Sequence, residues 1–280
     1  MPTDNVSAPL EGKTIFMSGG SRGVGLAIAL RAAQDGANVA LIAKTDEPHP
    51  KLPGTIHTAA EEIRGAGGGA LPIVGDIRDA DAVEEAVERA VEEFGGIDVV
   101  VNNASAINLS GTEELKVKGY DLMQEINARG TFVVTRACLP HLKQADNPHV
   151  LTLSPPLNLD PKWFGTHVAY TISKYNMSML TLGWAEEFRE DGIAFNSLWP
   201  RTMIATAAVM NLLGGEEAMA QSRNPEILAD AAHAILVRDP ECTGNFFIDE
   251  DVLAEEGITD LECYRADPEG RELAVDLFLD

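Results

Sequence analysis

Seven short apolar runs alternate with amphipathic helical stretches along nearly the whole chain, and this alternation constrains the fold more than any other feature. The candidate strands are Thr14 to Ser18, Asn38 to Ala43, Ala70 to Val74, Asp98 to Asn102, His149 to Ser154, Ala194 to Trp199 and Gly244 to Ile248. Most are too continuously apolar to be half-exposed, as strands covered on both faces are. The intervals carry helical patterns over Val24 to Asp35, Thr55 to Ala66, Ala80 to Phe94, Lys118 to Lys143, Val168 to Glu190 and Pro225 to Val237. Strand, helix, strand repeated in this way requires right-handed crossovers. The expected architecture is α/β: a doubly wound Rossmann fold, a seven-stranded parallel sheet with helices on both faces. No repeat or low-complexity linker interrupts it, so residues 1–280 are read as one catalytic domain. Within it, residues 201–224 are expected to form a mobile cap beside the active site and 250–280 a C-terminal extension. The loop Lys44 to Gly54, with Pro48, Pro50 and Pro53, also fits the regular pattern poorly.

Charge narrows the partners. With 21 Lys and Arg against 44 Asp and Glu, the net charge of −23 repels nucleic-acid backbones and anionic membranes. Cys138, Cys242 and Cys263 are few, odd in number and far apart, which suggests neither a disulfide framework nor a metal site and points to a reducing cytoplasm. Met1 to Leu10 lacks the basic start and apolar run of a signal peptide, no apolar stretch is long enough to span a bilayer, and the terminal Phe-Leu-Asp is no peroxisomal address. The histidines show no metal spacing.

The chemistry-bearing residues sit at strand ends. In Ser18-Gly-Gly-Ser-Arg-Gly-Val-Gly25, the glycines Gly19, Gly23 and Gly25 have the spacing of a turn that leaves a buried strand and enters a helix. Such a turn lets backbone approach a pyrophosphate closely, and the helix from Val24 aims its free N–H groups and positive dipole end at it. The spacing is Gly-x-x-x-Gly-x-Gly, and without company it is a promiscuous signal. It has company: Asp76 after the third strand, where a carboxylate accepts from an adenine amino group; Asn102-Asn103-Ala104 at the end of the fourth; and Asn127 in the long helix beyond. Tyr170 and Lys174, four apart, face the same way on one helix. A free tyrosine titrates near ~10, and a neighbouring ammonium together with an oxidised nicotinamide ring is expected to lower that by favouring phenolate. Tyr170 is then the acid/base, and the combination implies a nicotinamide-dependent oxidoreductase.

Order and spacing of these segments resemble the short-chain dehydrogenase/reductase family along almost the whole chain. Ser18–Gly25 looks like its glycine turn, Asn102-Asn-Ala-Ser105 like its Asn-Asn-Ala-Gly, Asn127 like its helix asparagine and Tyr170-x-x-x-Lys174 like its catalytic pair. The hydroxysteroid dehydrogenase-like subgroup is the closer match, through Ala43-Lys-Thr-x-x-Pro-His-Pro-Lys-Leu52, Leu153-Ser-Pro-Pro-Leu-Asn158 and the terminal Phe-Leu-Asp. Members of that subgroup also carry a sterol-carrier domain, for which 280 residues are too few.

The resemblance implies roles. The cofactor set is Gly19, Ser21, Arg22, Gly23, Val24, Gly25, Lys44, Asp76, Ile77, Asn103, Ala104, Tyr170, Lys174, Pro200, Ile204 and Thr206. Lys174 would hold the nicotinamide ribose, Asn127 a water linking Lys174 to solvent, and Ile204 backbone with Thr206 the carboxamide. Pro200-Arg-Thr-Met-Ile204-Ala-Thr206 departs from the family's Pro-Gly-x-Ile-x-Thr by Arg201 for glycine and one added residue. The larger departure is Ser154-Pro155-Pro156, which aligns proline with the serine that holds the reacting carbonyl; Ser154 either shifts into that role or is a strand-end serine. The loop onward to Tyr170 is about two residues longer than usual.

Where an NAD site has an acidic residue at the end of the second strand, this chain has Lys44. With Arg22 it offers two cations to a 2′-phosphate, so NADP(H) is preferred; if Lys44 is merely solvated, Asp46 takes the NAD role and NAD(H) stays open. Leu157, Trp163, Phe164, Met203, Met210 and Leu212 either line an apolar pocket or are ordinary core and subunit contacts. Phe132, Val133, Cys138, Leu139, Met177, Leu180, Leu182 and Trp184 offer more apolar surface than one sheet face requires, and the family pairs these helices across two-fold axes. The expected protein is an NADP(H)-dependent homodimer or, preferably, homotetramer that interconverts a carbonyl and a secondary alcohol on a lipid, steroid or terpenoid-like substrate. The rival is a dinucleotide-binding sensor or scaffold with little catalysis, motivated by Pro155.

Overall fold

The structure is a computed structural model that describes residues 9–48 and 54–280. Part of the Lys44–Gly54 loop and of the Ala43–Leu52 resemblance therefore lies outside the described residues, as does most of the segment Met1–Leu10.

Seven parallel strands form one sheet: β1 (Thr14–Ser18), β2 (Asn38–Ala43), β3 (Gly69–Val74), β4 (Val99–Asn102), β5 (His149–Thr152), β6 (Ala194–Trp199) and β7 (Phe246–Ile248). Their spatial order is β3-β2-β1-β4-β5-β6-β7, with the order reversing between β1 and β4. Every residue of β1, β4, β5 and β6 is buried, which is why those runs read as continuously apolar. Ligands in such sheets bind outside the carboxyl ends of the strands at the reversal point. Here Ser18 and Asn102 are register partners at that point, and both strands end there.

The helices are α1 (Gly23–Gln34), α2 (Ile56–Gly65), α3 (Ala80–Phe94), α4 (Val117–Met123), α5 (Thr131–Leu142), α6 (Lys162–Gly165), α7 (Val168–Glu187), α8 (Ala207–Leu212), α9 (Gly215–Ala220), α10 (Glu226–Leu236) and α11 (Asp249–Glu255). The helix read as continuous over Lys118 to Lys143 is α4 and α5 joined by a π-helical turn, Gln124–Gly130. One face of the sheet packs Met17, Leu41 and Val101 against α1, α2 and α10; the other packs Phe16, Val100 and Phe195 against α3, α5 and α7. Within residues 201–224 lie α8 and α9. That segment is pinned to the chain's end, since Arg223 pairs with Met203 through its backbone N–H and Met203 N–H donates to Ala274 O.

No described helix is long and apolar enough to cross a membrane. Among the described residues no cluster of His, Cys, Asp or Glu is suited to a metal ion.

Candidate active site

The glycine turn works because two of its residues adopt conformations closed to other side chains. Gly19 has φ +77° and Gly23 φ +57°. A Cβ at Gly19 would sit 2.8 Å from Ala104 Cα, and one at Gly25 2.5 Å from Asn103 Nδ2, so Gly19 and Gly25 are the price of bringing β1 against the end of β4. Asn103 Nδ2 donates to Gly19 O at 2.7 Å, and Ala104 N–H donates to Ser18 Oγ at 3.2 Å. Gly23 is different: its open side faces Thr206, whose Cγ2 would be 3.5 Å from an added Cβ. Thr206, at the start of α8, thus stands over the first turn of α1. Val24 is half-buried there and Ser21 buried, so α1 presents its amino end at a partly enclosed site.

The charged residues beside this turn are more committed than sequence suggested. Arg22 Nη2 donates to Gly54 O at 2.9 Å, while its buried Nε has no partner among the described residues. Lys44 Nζ lies 3.2 Å from Asp76 Oδ2. Arg78 grips both oxygens of Asp76, from Nε at 3.0 and 3.1 Å and from Nη2 at 2.6 Å. The Arg78 guanidinium holds the Asp76 carboxyl far below the usual carboxylate range. Ile77 is buried and packs in the core beside Gly130, where an added Cβ would meet its Cδ1 at 2.5 Å. Asp46, the alternative acidic residue, accepts through Oδ1 from His57 Nε2 at 2.7 Å.

On α7, Tyr170 and Lys174 are 5% and 3% exposed. Lys174 Nζ donates to Leu153 O, just past β5, at 2.7 Å and sits 5.0 Å above the Trp199 ring at the end of β6. The helix is therefore fastened to the same sheet edge that carries the glycine turn. Burial drives the Tyr170 hydroxyl well above its ordinary range, with Asp276 adding to the effect, and burial brings Lys174 down to about 7. Desolvation acts on Tyr170 in this direction because it penalises the charged phenolate.

Asn127 is fully buried within the π-helical turn, an irregularity that often marks functional sites. Its Oδ1 accepts from Ala106 N–H at 2.7 Å, and its Nδ2 donates to Ala106 O and Ser173 Oγ, each at 2.9 Å. Ser173 Oγ in turn donates to Tyr170 O at 2.8 Å. Asn127 thus braces the loop after β4 against the helix of Tyr170.

Ser154 lies just past the end of β5. Its Oγ lies 2.9 Å from Ser197 Oγ on β6, and Ser197 Oγ donates to Thr181 Oγ1 on α7 at 2.9 Å. All three hydroxyls are buried, and the chain turns tightly before Pro155, with Ser154 N–H donating to Thr152 O. The serine is spent on an interior hydroxyl chain.

Leu157, Trp163 and Phe164 do gather with Tyr170, joined by Met123, Tyr175, Trp199 and Phe278 in an apolar cluster. Met210 and Leu212 face outward on α8, at 40% and 61% exposure. Sequence reading missed the contribution of the chain's end: Phe278 is buried against the Tyr170 ring, 6.1 Å between centroids and 30° between planes. No periodicity marks that segment. Ile204 is buried, Pro200 buried and Met203 half-buried along the path from β6 to Thr206.

The sheet order, the glycine turn and the Tyr170–Lys174 face are those of the short-chain dehydrogenase family, to which this chain belongs. Residues 13–216 match that family's model, described as short chain dehydrogenase. Among curated relatives, hydroxysteroid dehydrogenase-like protein 2 of Danio rerio is 59% identical over 97% of this chain and 65% of its own length. The Homo sapiens protein of the same name is 54% identical over 97% of this chain and 64% of its own. The chain thus spans a little under two thirds of these relatives. A crystal structure of a short chain dehydrogenase from Mycobacterium thermoresistibile has a TM-score of 0.92 at 62% identity, covering 97% of this chain and 96% of that one. Enzymes of this family bind nicotinamide dinucleotides, and the glycine cradle with the unpartnered Arg22 Nε fits one.

Proposed function

We propose that this chain is an NADP(H)-dependent oxidoreductase that interconverts a carbonyl and a secondary alcohol on an apolar, lipid-, steroid- or terpenoid-like substrate. The observation that carries this reading is the buried Tyr170–Lys174 pair, fastened through Leu153 O to the sheet edge where the glycine turn opens. A bound nicotinamide supplies or accepts the hydride. Tyr170, kept protonated by burial, donates its phenolic proton to the substrate oxygen during reduction and takes it back from the alcohol during oxidation. Lys174, one helical turn from Tyr170 and held by Leu153 O, would hold the nicotinamide ribose. Asn127 holds the helix that carries both. Ser154, with its hydroxyl already partnered, orders the strand ends; the reacting oxygen is held by Tyr170 without it.

Arg22 and Lys44 favour NADP(H), since both are cations beside the turn where a 2′-phosphate would lie, while Asp46 is engaged by His57. The aromatic cluster around Tyr170 favours an apolar substrate. Three free cysteines agree with a reducing cytoplasm. For assembly, half of the apolar residues expected to be surplus on the long helices are absorbed within the chain: Val133, Cys138, Met177 and Trp184 are buried. Phe132 and Leu182 stay exposed, and Ile172 and Met179 join them, which supports a homodimer or homotetramer through α5 and α7.

Turnover of NADPH or NADP over a panel of apolar ketones and alcohols tests the reading. Cofactor binding with no turnover of any pair would instead favour a dinucleotide sensor.

A further inference from the structure

The last residues of the chain form a strap across the site. Val275 bridges Thr202, Met203 N–H donates to Ala274 O, and Asp276 N–H donates to Arg201 O. Trp199 Nε1 donates to Leu277 O at 2.9 Å, and Asp280 pairs with Lys162 and accepts from Asn158 Nδ2. The strap is therefore tied on one side to the segment after β6 and on the other to the loop between β5 and α7. Between these ties Phe278 turns inward. Its backbone has φ +73°, a conformation uncommon for a bulky residue, which persists only where the surroundings over-determine it. What holds it is a cage of rings: besides Tyr170, its neighbours are Trp163 at 5.9 Å, His167 at 6.2 Å, Tyr175 at 5.3 Å and Trp199 at 5.9 Å between centroids. Tyr170 is the only one of these assigned a chemical step, and Phe278 lies nearly parallel to it.

We infer that Phe278 is a specificity-determining residue: its ring is the inner wall of the substrate pocket and limits how wide a group can stand beside the Tyr170 hydroxyl. This inference rests on the reductase reading above for the identity of the occupant, an apolar ketone, and not for the position of the wall. Trimming the ring leaves a space walled by aromatic faces, suited to a second fused alicyclic ring. The strained backbone and the anchors on both sides keep the wall in place.

The test compares wild type, Phe278→Leu and Phe278→Ala, each saturated with NADP. Calorimetry gives Kd for cyclohexanone and for decalone, which has two fused rings, and turnover of the same ketones is followed with NADPH. The Kd ratio of cyclohexanone to decalone should rise roughly tenfold in Phe278→Ala and by a smaller factor in the same direction in Phe278→Leu. Ratios within about twofold of wild type in both variants would overturn the inference, as would failure of all three proteins to bind either ketone. Should Phe278→Ala not fold, the Leu variant decides by the same criterion. A shifted Kd ratio without turnover in any of the three upholds the wall and refutes the reductase reading, so the two fail separately.

Discussion

Ser154 Oγ lies 2.9 Å from Ser197 Oγ, and both are buried. That relationship joins β5 to β6, and through Thr181 to α7. Ser154→Ala should leave kcat/KM for a good substrate within about threefold while lowering stability by about 1 kcal/mol, the cost of one buried hydrogen bond. Steady-state kinetics alongside thermal melting separates the two effects. A loss of a hundredfold or more in kcat, with melting unchanged, would return Ser154 to the reaction centre.

The proposed preference for NADP(H) rests on Lys44 and Arg22. Lys44→Asp puts a carboxylate beside Asp76 and opposite any 2′-phosphate, so NADP affinity should fall by roughly tenfold more than NAD affinity. Arg22→Ala should act in the same direction, less strongly, because its Nη2 is partly spent on Gly54 O. Calorimetric affinities that fall equally for both cofactors would show that neither residue reads the phosphate.

Burial pushes the Asp276 carboxyl up to about 7 and Asp249 up to about 6. A carboxyl whose folded pKa lies above its unfolded value favours the folded state fully below the unfolded pKa, and that favour is lost as pH rises through the folded one. Stability should therefore decline between about pH 4 and pH 7 from these two groups. Lys174 acts oppositely and later: its pKa of about 7 is below the ordinary lysine value, so its contribution rises with pH above 7. Asp276→Asn should flatten the decline between pH 4 and 7, as read by chemical denaturation at each pH. An unchanged slope would mean that Asp276 is ordinarily ionised in the fold.

Assembly has its own test. Phe132 and Leu182 are exposed on α5 and α7, and Phe132→Glu combined with Leu182→Glu should drive an oligomer toward monomer in light scattering. A wild-type protein that is monomeric at micromolar concentration with full activity would exclude any role of that face.

The sheet was legible because buried parallel strands must be continuously apolar: β1, β2 and β6 fall where their runs begin and end. Tyr170, Lys174 and the glycines were legible because their relation is local, within one helix turn or one loop. What sequence could not show depends on partners far along the chain. Lys44 and Asp76 are 32 positions apart, Ser154 and Ser197 43, and each finds the other only after the sheet assembles. The π-helical turn at Asn127 has no pattern distinct from an ordinary helix. The strap carries no periodicity at all, and Phe278 reads as one more terminal residue until its ring is found against Tyr170.

The proton donor is the centre of the account, and Tyr170→Phe tests it most directly because it removes one oxygen and keeps the ring against Phe278. Turnover of the best ketone should fall by about 10²–10⁴-fold while NADP affinity by calorimetry stays within about threefold. Retained turnover in that variant, with cofactor bound as in wild type, would contradict the assignment and place the acid elsewhere.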